Sequence, residues 1–344
     1  MLKTIYIYVG PHRSGSQFLL RKITPNIKGL YDVRSKNVAL NEIVMEAMDE
    51  HPDFLDPESY KERISGVLDA IDEDKILFAN EEFFGDYGRR MSDGPYISQP
   101  FYDNQFRIDV LKKLFGNPKI IMTPRRQDLW VESAYMHFIH NFQTVEFDEF
   151  FNPGMDKGPN LFKFRSNNQS INFKALDWGV YLKNYHSAFG EENVLVIPNE
   201  MMRHDLQDAV NMLCDFTKVD RFDPGEIPQV NRSYSAPALR AAKLINRFIL
   251  VPGNRFGFIP VHPFLKEIQT QRAKKESKLL WFLAGISRRI SPHWFLNEIV
   301  GRLNYKKPDN LGPERREMVL SHYRRANKDY AEMIHIDLEK YGYY

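Results

Sequence analysis

Residues 4–17 read Thr4-Ile5-Tyr6-Ile7-Tyr8-Val9-Gly10-Pro11-His12-Arg13-Ser14-Gly15-Ser16-Gln17. The first six are β-branched and aromatic, the pattern of a short buried strand. Residues 10–15 form a glycine-bounded turn, and a helix is expected to open near Ser16 with Phe18, Leu19, Leu20 and Ile23 as its apolar positions. In such a turn the glycines let backbone amides approach an anion, and the helix N-terminus adds unpaired N–H groups and the positive end of a dipole. Ser14 and Ser16 contribute hydroxyls, and Arg13 contributes a planar cation suited to phosphate or sulfate. Glycine and serine alone would make an ordinary turn and cap. An arginine inside the turn, directly behind a strand, favours an anion-binding loop.

Three further apolar runs follow, at 75–79 (KILFA), 119–123 (KIIMT) and 193–197 (NVLVI). Helical patterns separate the four runs, with apolar positions at Ile43, Val44, Ala47 and Met48, then over 60–71, 106–115, 128–140 and 176–189. Strand alternating with helix is the pattern of a parallel sheet with crossover helices, so the fold class is α/β. Residues 151–172, rich in Gly, Asn and Pro, read as a loop. A helix is expected over 205–216, no strand is expected beyond about residue 231, and helices are expected over 236–248, in broken pieces over 276–303, and over 313–341. The organisation is an α/β core over 1–235, a basic helical insertion over 236–310, and a C-terminal helix over 311–344 that completes the core.

The composition fits a globular chain: of 344 residues, 43% are hydrophobic and 27% charged, with a formal net charge of +2. The single cysteine, Cys214, excludes an intrachain disulfide framework and a cysteine-cluster zinc site, and reads as a small buried hydrophobe. A reducing compartment suits such a chain, and with no export signal in view the expected location is cytoplasmic. The longest apolar run, 279–286 (LLWFLAGI), falls far short of the roughly 20 residues a membrane span needs. Charge is uneven, because residues 240–307 hold 14 Lys or Arg against Glu267, Glu276 and Glu298, which leaves the first 239 residues acidic. Solvated charge around a helical core explains most such segments. The same segment also suits a lid over an acidic acceptor, a dimer contact, or a peripheral contact with an anionic membrane. Nucleic acid is not an expected partner, since the body is acidic and carries no reader motif.

The glycine spacing in 10–15 matches the nucleotide phosphate-binding loop, but the lysine that follows the second glycine in that motif is absent, with Ser16 and Gln17 in its place. A kinase of that class is therefore a secondary reading, and a non-catalytic nucleotide-binding protein is a third. A second anion site is expected where the run at 119–123 meets Pro124-Arg125-Arg126-Gln127-Asp128. With Asp128 capping the next helix, Ser133 would share an oxyanion with Arg125. Both sites fall at the carboxyl ends of strands, where ligands of parallel sheets bind. A ligand with two separated anionic groups would engage both.

Residues 10–16 with their strand resemble the 5′-phosphosulfate loop of the sulfotransferase family, and KIIMTPRRQDLWVESAYMHF (119–138) resembles that family's 3′-phosphate motif. NVLVIPNE (193–200) and IHIDLEKYGY (334–343) resemble its later strand and its C-terminal ending, so the likeness spans most of 1–235 and about the last thirty residues. The resemblance implies a parallel sheet of the phosphate-loop nucleoside-triphosphate-hydrolase type with flanking helices and a helical C-terminal part. It also implies 3′-phosphoadenosine-5′-phosphosulfate (PAPS) as co-substrate, no metal, and transfer of a sulfuryl group to a hydroxyl or amine. Carried over position by position, it places Arg13 as the catalytic cation, Pro11, His12, Ser14, Gly15, Ser16 and Gln17 around the 5′-phosphosulfate, and Arg125 and Ser133 on the 3′-phosphate. Gln17 and Asn199 depart from the family pattern, which leaves one phosphate contact and the adenosine contacts open.

Sulfuryl transfer needs a cation at the leaving phosphate and a base at the acceptor. Glu81, at the end of 75–79, is the preferred base; Glu82 and His12 are the alternatives. His137 and His140 stand one helical turn apart without a third ligand in view, so packing roles are expected for them. Trp130, Tyr135 and Phe138 are read as core. The acceptor, a carbohydrate, lipid or small metabolite, has no pattern of its own in the sequence.

Overall fold

The computed structural model describes residues 3–50, 54–85, 100–140, 143–151, 176–225, 234–250, 259–260 and 308–344. Its centre is a five-stranded, all-parallel sheet in the order β2-β3-β1-β4-β5. The strands are β1 (Thr4–Tyr8), β2 (Tyr31–Asp32), β3 (Lys75–Ala79), β4 (Lys119–Met122) and β5 (Val194–Val196). Burial over β1, β3 and β4 is near continuous, as a sheet covered on both faces requires. The sequence reading places four of these strands; β2 is an addition, two residues long and too short to carry a period.

Strand progression reverses at β1, and in this topology ligands collect outside the carboxyl ends of the strands at such a point. The register aligns those ends, with Tyr8 opposite both Ala79 and Ile121, and Met122 opposite Val196. The segments that leave β1, β3, β4 and β5 therefore emerge on one edge.

The first helix is brief. After α1 (Ser16–Phe18) the chain widens into a π-helical turn over Leu19–Ile23, then tightens into a 3-10 turn over Thr24–Asn26. There follow α2 (Val33–Lys36), α3 (Val38–Asp49), α4 (Pro57–Leu68) and α5 (Pro100–Phe115). The next are α6 (Gln127–His140), α7 (Phe147–Phe150), α8 (Trp178–Phe189) and α9 (Asn199–His204). Last come α10 (Leu206–Thr217), α11 (Ala236–Asn246) and α12 (Gly312–Ile334). Side chains close several N-termini: Asp56 accepts from the amides of Glu58 and Ser59, and Asp177 from that of Gly179. Trp130, Tyr135 and Phe138 are buried in the core, as is Cys214.

Three expectations change. A short parallel pair, β6 (Ile249–Leu250) with β7 (Ile259–Pro260), lies beyond residue 231, where no strand was expected. The last helix stops at Ile334 with His335 in the left-handed region, and a 3-10 turn over Glu339–Tyr341 follows, so 313–341 is not one helix. Asp128 does not cap α6. It lies in the first turn with no exposed surface, and its carboxylate accepts from Arg126 Nε at 2.6 Å, from Arg126 NH2 at 3.0 Å, and from Arg316 NH1. Two guanidiniums outcompete amide donors for a buried carboxylate. Residues 152–172 of the expected loop and most of the basic segment 240–307, including 279–290, lie outside the described residues.

The C-terminus seals the back of the sheet edge through α12, which packs on α6 and α8. Buried Gln127 and Asn327 exchange two amide hydrogen bonds of 2.8 and 3.1 Å, and Asn327 Nδ2 also donates to Tyr343 O at 3.0 Å. Arg126 NH1 donates to Tyr341 O at 3.0 Å, and the Tyr343 hydroxyl donates to Glu200 Oε2 at 2.8 Å. Among the described residues no helix is long and apolar enough to cross a membrane.

Removing one charge from a buried, hydrogen-bonded ionic cluster leaves its partners uncompensated. Asp128→Asn is therefore expected to lower the unfolding free energy by about 3 kcal/mol in urea titration at neutral pH. Burial raises the Asp128 pKa, but the hydrogen bonds and charges of Arg126 and Arg316 outweigh it and hold the group below its ordinary value. A depressed folded pKa contributes stability above the unfolded value, about pH 4, and loses it as pH falls through the folded one. The wild-type advantage over Asp128→Asn should shrink across that acidic window.

Candidate functional site

The loop after β1 is held by its carbonyls. Trp130 Nε1, on α6, donates to His12 O at 2.7 Å, and Arg125 NH1, past β4, donates to Arg13 O at 2.9 Å. The Ser14 hydroxyl donates to Pro11 O, closing the turn on itself, and lies 3.5 Å from Thr123 Oγ1. Bonding both carbonyls outward fixes the backbone between them, and Arg13 sits there with φ 67. A non-glycine residue in the left-handed region costs of order 1 kcal/mol and persists only where its surroundings impose it. Here Arg125 and Trp130 impose it.

The conformation aims the Arg13 side chain at α6, where its Nε donates to Ser133 Oγ at 3.2 Å. The two stretches expected to bind separate anionic groups are thus joined, with Arg13 bridging to Ser133 and Arg125 reaching back to Arg13. Arg125 is positioned in turn by Trp178 Nε1, which donates to Arg125 O at 2.7 Å. Burial lowers the pKa of both arginines, with Arg125 brought down to about 10 by burial first and then by the charge of Arg203. Both remain protonated at neutral pH. Arg125 Nε is buried with no hydrogen-bond partner among the described residues. Neither guanidinium forms an ion pair with a carboxylate there, although Glu81 lies close enough to favour the charge on Arg13. Partly buried cations without a carboxylate carry a desolvation cost, and an arriving anion would relieve it.

Glu81 enters from the next strand. Pairing ends at Ala79, and Glu81–Phe83 is a 3-10 turn whose Asn80 side chain accepts from the Glu82 amide. The in-line extension that would have set Glu81 and Glu82 on opposite faces is therefore absent. Glu81 Oε1 accepts from Ser16 Oγ and Gln17 Nε2, each at 2.6 Å, and Oε2 lies 3.2 Å from His12 Nδ1. Burial raises its pKa, but hydrogen bonds from His12, Ser16 and Gln17 and the charge of His12 carry it down to about 2. The Ser16 hydroxyl and Gln17 amide, expected on the anion, are directed at Glu81 in this arrangement.

Other groups complete the site. Arg34 NH2, on α2, donates to Gln17 Oε1 at 3.4 Å, an arginine that nothing in the sequence sets apart. Asn199, the first residue of α9, lies against Gly15 with its Oδ1 buried and without a partner among the described residues. Glu200 does not end a strand. It is buried in α9, accepts from the Arg126 amide at 3.3 and 3.2 Å, and braces the loop that carries Arg125. His137 lies one turn beyond Ser133 on α6, and burial, with the charge of Arg13 next, pushes its imidazole down to about 4. His140 stacks on Tyr234 with centroids 4.8 Å apart. Among the described residues no group of three His, Cys, Asp or Glu is placed to hold a metal.

Comparison with solved structures finds a sulfotransferase from Alicyclobacillus acidocaldarius, 16% identical, with a TM-score of 0.42 over 72% of this chain and 94% of that one. It also finds the sulfotransferase domain of the Synechococcus PCC 7002 olefin synthase, 14% identical, with a TM-score of 0.35 over 66% of this chain and 78% of that one. No family model matches the sequence, and no curated protein matches it.

Gly15 has φ 90, and a Cβ there would overlap Asn199 Nδ2. Gly15→Ala is expected to cost about 2 kcal/mol, the sum of left-handed strain and the overlap. Adding Asn199→Ala should recover the overlap but not the strain, leaving about 1 kcal/mol. Thermal unfolding of the two variants measures both parts.

Proposed function

We propose that the protein is a sulfotransferase that moves a sulfuryl group from PAPS to a hydroxyl or amine of a carbohydrate, lipid or small metabolite. The observation that carries this reading is the junction of Arg13, Arg125 and Ser133. Two cations lie at the carboxyl edge of a parallel sheet, without ion-pair partners among the described residues, and they are tied into one site by bonds of 2.9 and 3.2 Å. The resemblance of 10–16 and 119–138 to the two donor-binding motifs of that family gives the site its ligand. PAPS carries an anionic group at each end of its ribose, the kind of ligand that a pair of strand-end cation sites accommodates.

The residues present fit that co-substrate. The loop from Pro11 to Gln17 surrounds the 5′-phosphosulfate, and the orphaned Nε of Arg125, with Ser133, receives the 3′-phosphate. Transfer is a displacement in which negative charge grows on the departing 5′-phosphate. Arg13 neutralises that charge, and because its backbone is already fixed it needs no reorganisation as the charge develops. At the acceptor a proton must leave, and the ionised Glu81 places negative charge on that side of the loop. The acceptor lies on the Glu81 side of the loop, where Arg34 adds a cation.

The test is calorimetric titration with adenosine 3′,5′-bisphosphate, the donor without its sulfuryl group, in the absence of magnesium. Wild-type binding near 1 μM, about −8 kcal/mol, is expected. Arg125→Ala should weaken it at least tenfold. Arg13→Ala should abolish turnover of PAPS while changing the affinity for this product less. Absence of binding, or binding only of ATP with magnesium, overturns the reading in favour of a kinase or a different ligand.

A further inference from the structure

His12 and Glu81 meet in a geometry that separates holding a proton from receiving one. Glu81 Oε1 is engaged by Ser16 and Gln17, each at 2.6 Å, which leaves Oε2 to His12 Nδ1 at 3.2 Å. An ionised carboxylate only accepts hydrogen bonds, so Nδ1 carries the proton and, in the neutral ring, Nε2 carries the lone pair. His12 Nε2 is shielded from solvent and has no hydrogen-bond partner among the described residues. The backbone below it is fixed, since the His12 carbonyl accepts from Trp130 Nε1 at 2.7 Å. The next residue is Arg13, whose Nε is bound to Ser133. A carboxylate, an imidazole oriented by it, and a ring nitrogen left without a partner among the described residues, on the residue next to Arg13, are the parts of a nucleophile-activating dyad.

On the reading of the protein as a sulfotransferase, we propose that His12 Nε2 is the general base and that Glu81 is its positioning residue. The acceptor O–H bond breaks and its proton goes to His12 Nε2. The acceptor oxygen forms the new bond to sulfur, and the bond from sulfur to the 5′-phosphate oxygen breaks, its electron pair remaining on the phosphate beside Arg13. The imidazolium that forms is neutralised by Glu81 and gives up its proton once the sulfated product has left and water reaches Nε2. The arrangement gives a role to a carboxylate whose two oxygens are already engaged by Ser16, Gln17 and His12 of the loop. Its charge stabilises the protonated imidazole. The charged and titratable groups that face His12 are Glu81 from the end of β3, Arg13 from its own loop and His137 from α6. Arg34 faces Glu81 from α2.

Two measurements on the full chain test this. Nitrogen-15 spectroscopy of the His12 ring at pH 8 is expected to show a protonated Nδ1 and a bare Nε2, and Glu81→Gln should disturb that tautomer. Release of inorganic sulfate from PAPS to water, an acceptor always present, gives the rate. His12→Ala is expected to lower kcat at least tenfold with the donor KM moving less than threefold, and added imidazole should restore part of the rate. Glu81→Gln should cost less than His12→Ala, and nothing further in the His12→Ala background. A protonated Nε2, wild-type kcat in His12→Ala, or a further loss from Glu81→Gln in that background overturns the assignment and returns the base to Glu81. A wild type that binds adenosine 3′,5′-bisphosphate yet releases no sulfate also overturns it. Failure to bind that nucleotide at all overturns the sulfuryl-transfer reading itself, so the two failures are distinguishable.

Discussion

The site depends on two hydrogen bonds to consecutive carbonyls, Trp130 to His12 O and Arg125 to Arg13 O. Each joins the loop after the central strand to a different element, α6 in one case and the exit from β4 in the other. Because both carbonyls are turned outward, the backbone at Arg13 is forced into the left-handed region. That single dihedral sets where the guanidinium goes, and with it the bond to Ser133. The chain of dependence runs further back. Trp178 on α8 holds the Arg125 carbonyl, and the cluster of Arg126, Asp128 and Arg316 fixes the turn from which Arg125 emerges. A helix more than 180 residues downstream of β4 thus contributes to the position of a cation at the sheet edge.

Electrostatically the edge is divided. On one side, Arg13 and Arg125 are partly buried positive charges without a carboxylate partner among the described residues, held there by neutral groups and backbone. On the other, Glu81 is a carboxylate saturated with donors from the same loop. Glu81 takes up the Ser16 and Gln17 side chains, so the loop's remaining capacity for an anion rests on its backbone and its arginine. Cation and carboxylate lie close enough to influence each other's ionisation but are not paired. A bound anion would find the positive charge it needs without breaking a salt bridge of Arg13 or Arg125 among the described residues.

Much was legible in residues 4–17 and 119–138 alone, because the features concerned are local. A buried strand, a glycine turn with an internal arginine, and a strand-end arginine eight residues before a serine are all short-range patterns. Parallel strands also read as continuous apolar runs whatever their neighbours. What escaped was set by partners distant in sequence. Asp128 has the residue type and place of a helix cap, yet two arginines, one of them 188 residues away, claim its carboxylate. Arg34 and Glu200 belong to the site or its bracing only because β2 and α9 fold beside the loop.

By itself, then, the sequence determined the α/β class, four of the five strands of the sheet, and the residue types placed at the strand ends, since each of these follows from periodicity and from the chemistry of single side chains. Only the tertiary structure decided that the two arginine stretches form one site, that Ser16 and Gln17 face Glu81, and that His12 presents one nitrogen to a carboxylate and leaves the other bare. The physical reason is that hydrogen-bond partners are chosen by competition among all donors and acceptors that packing brings within about 3 Å, and that competition is settled only in three dimensions.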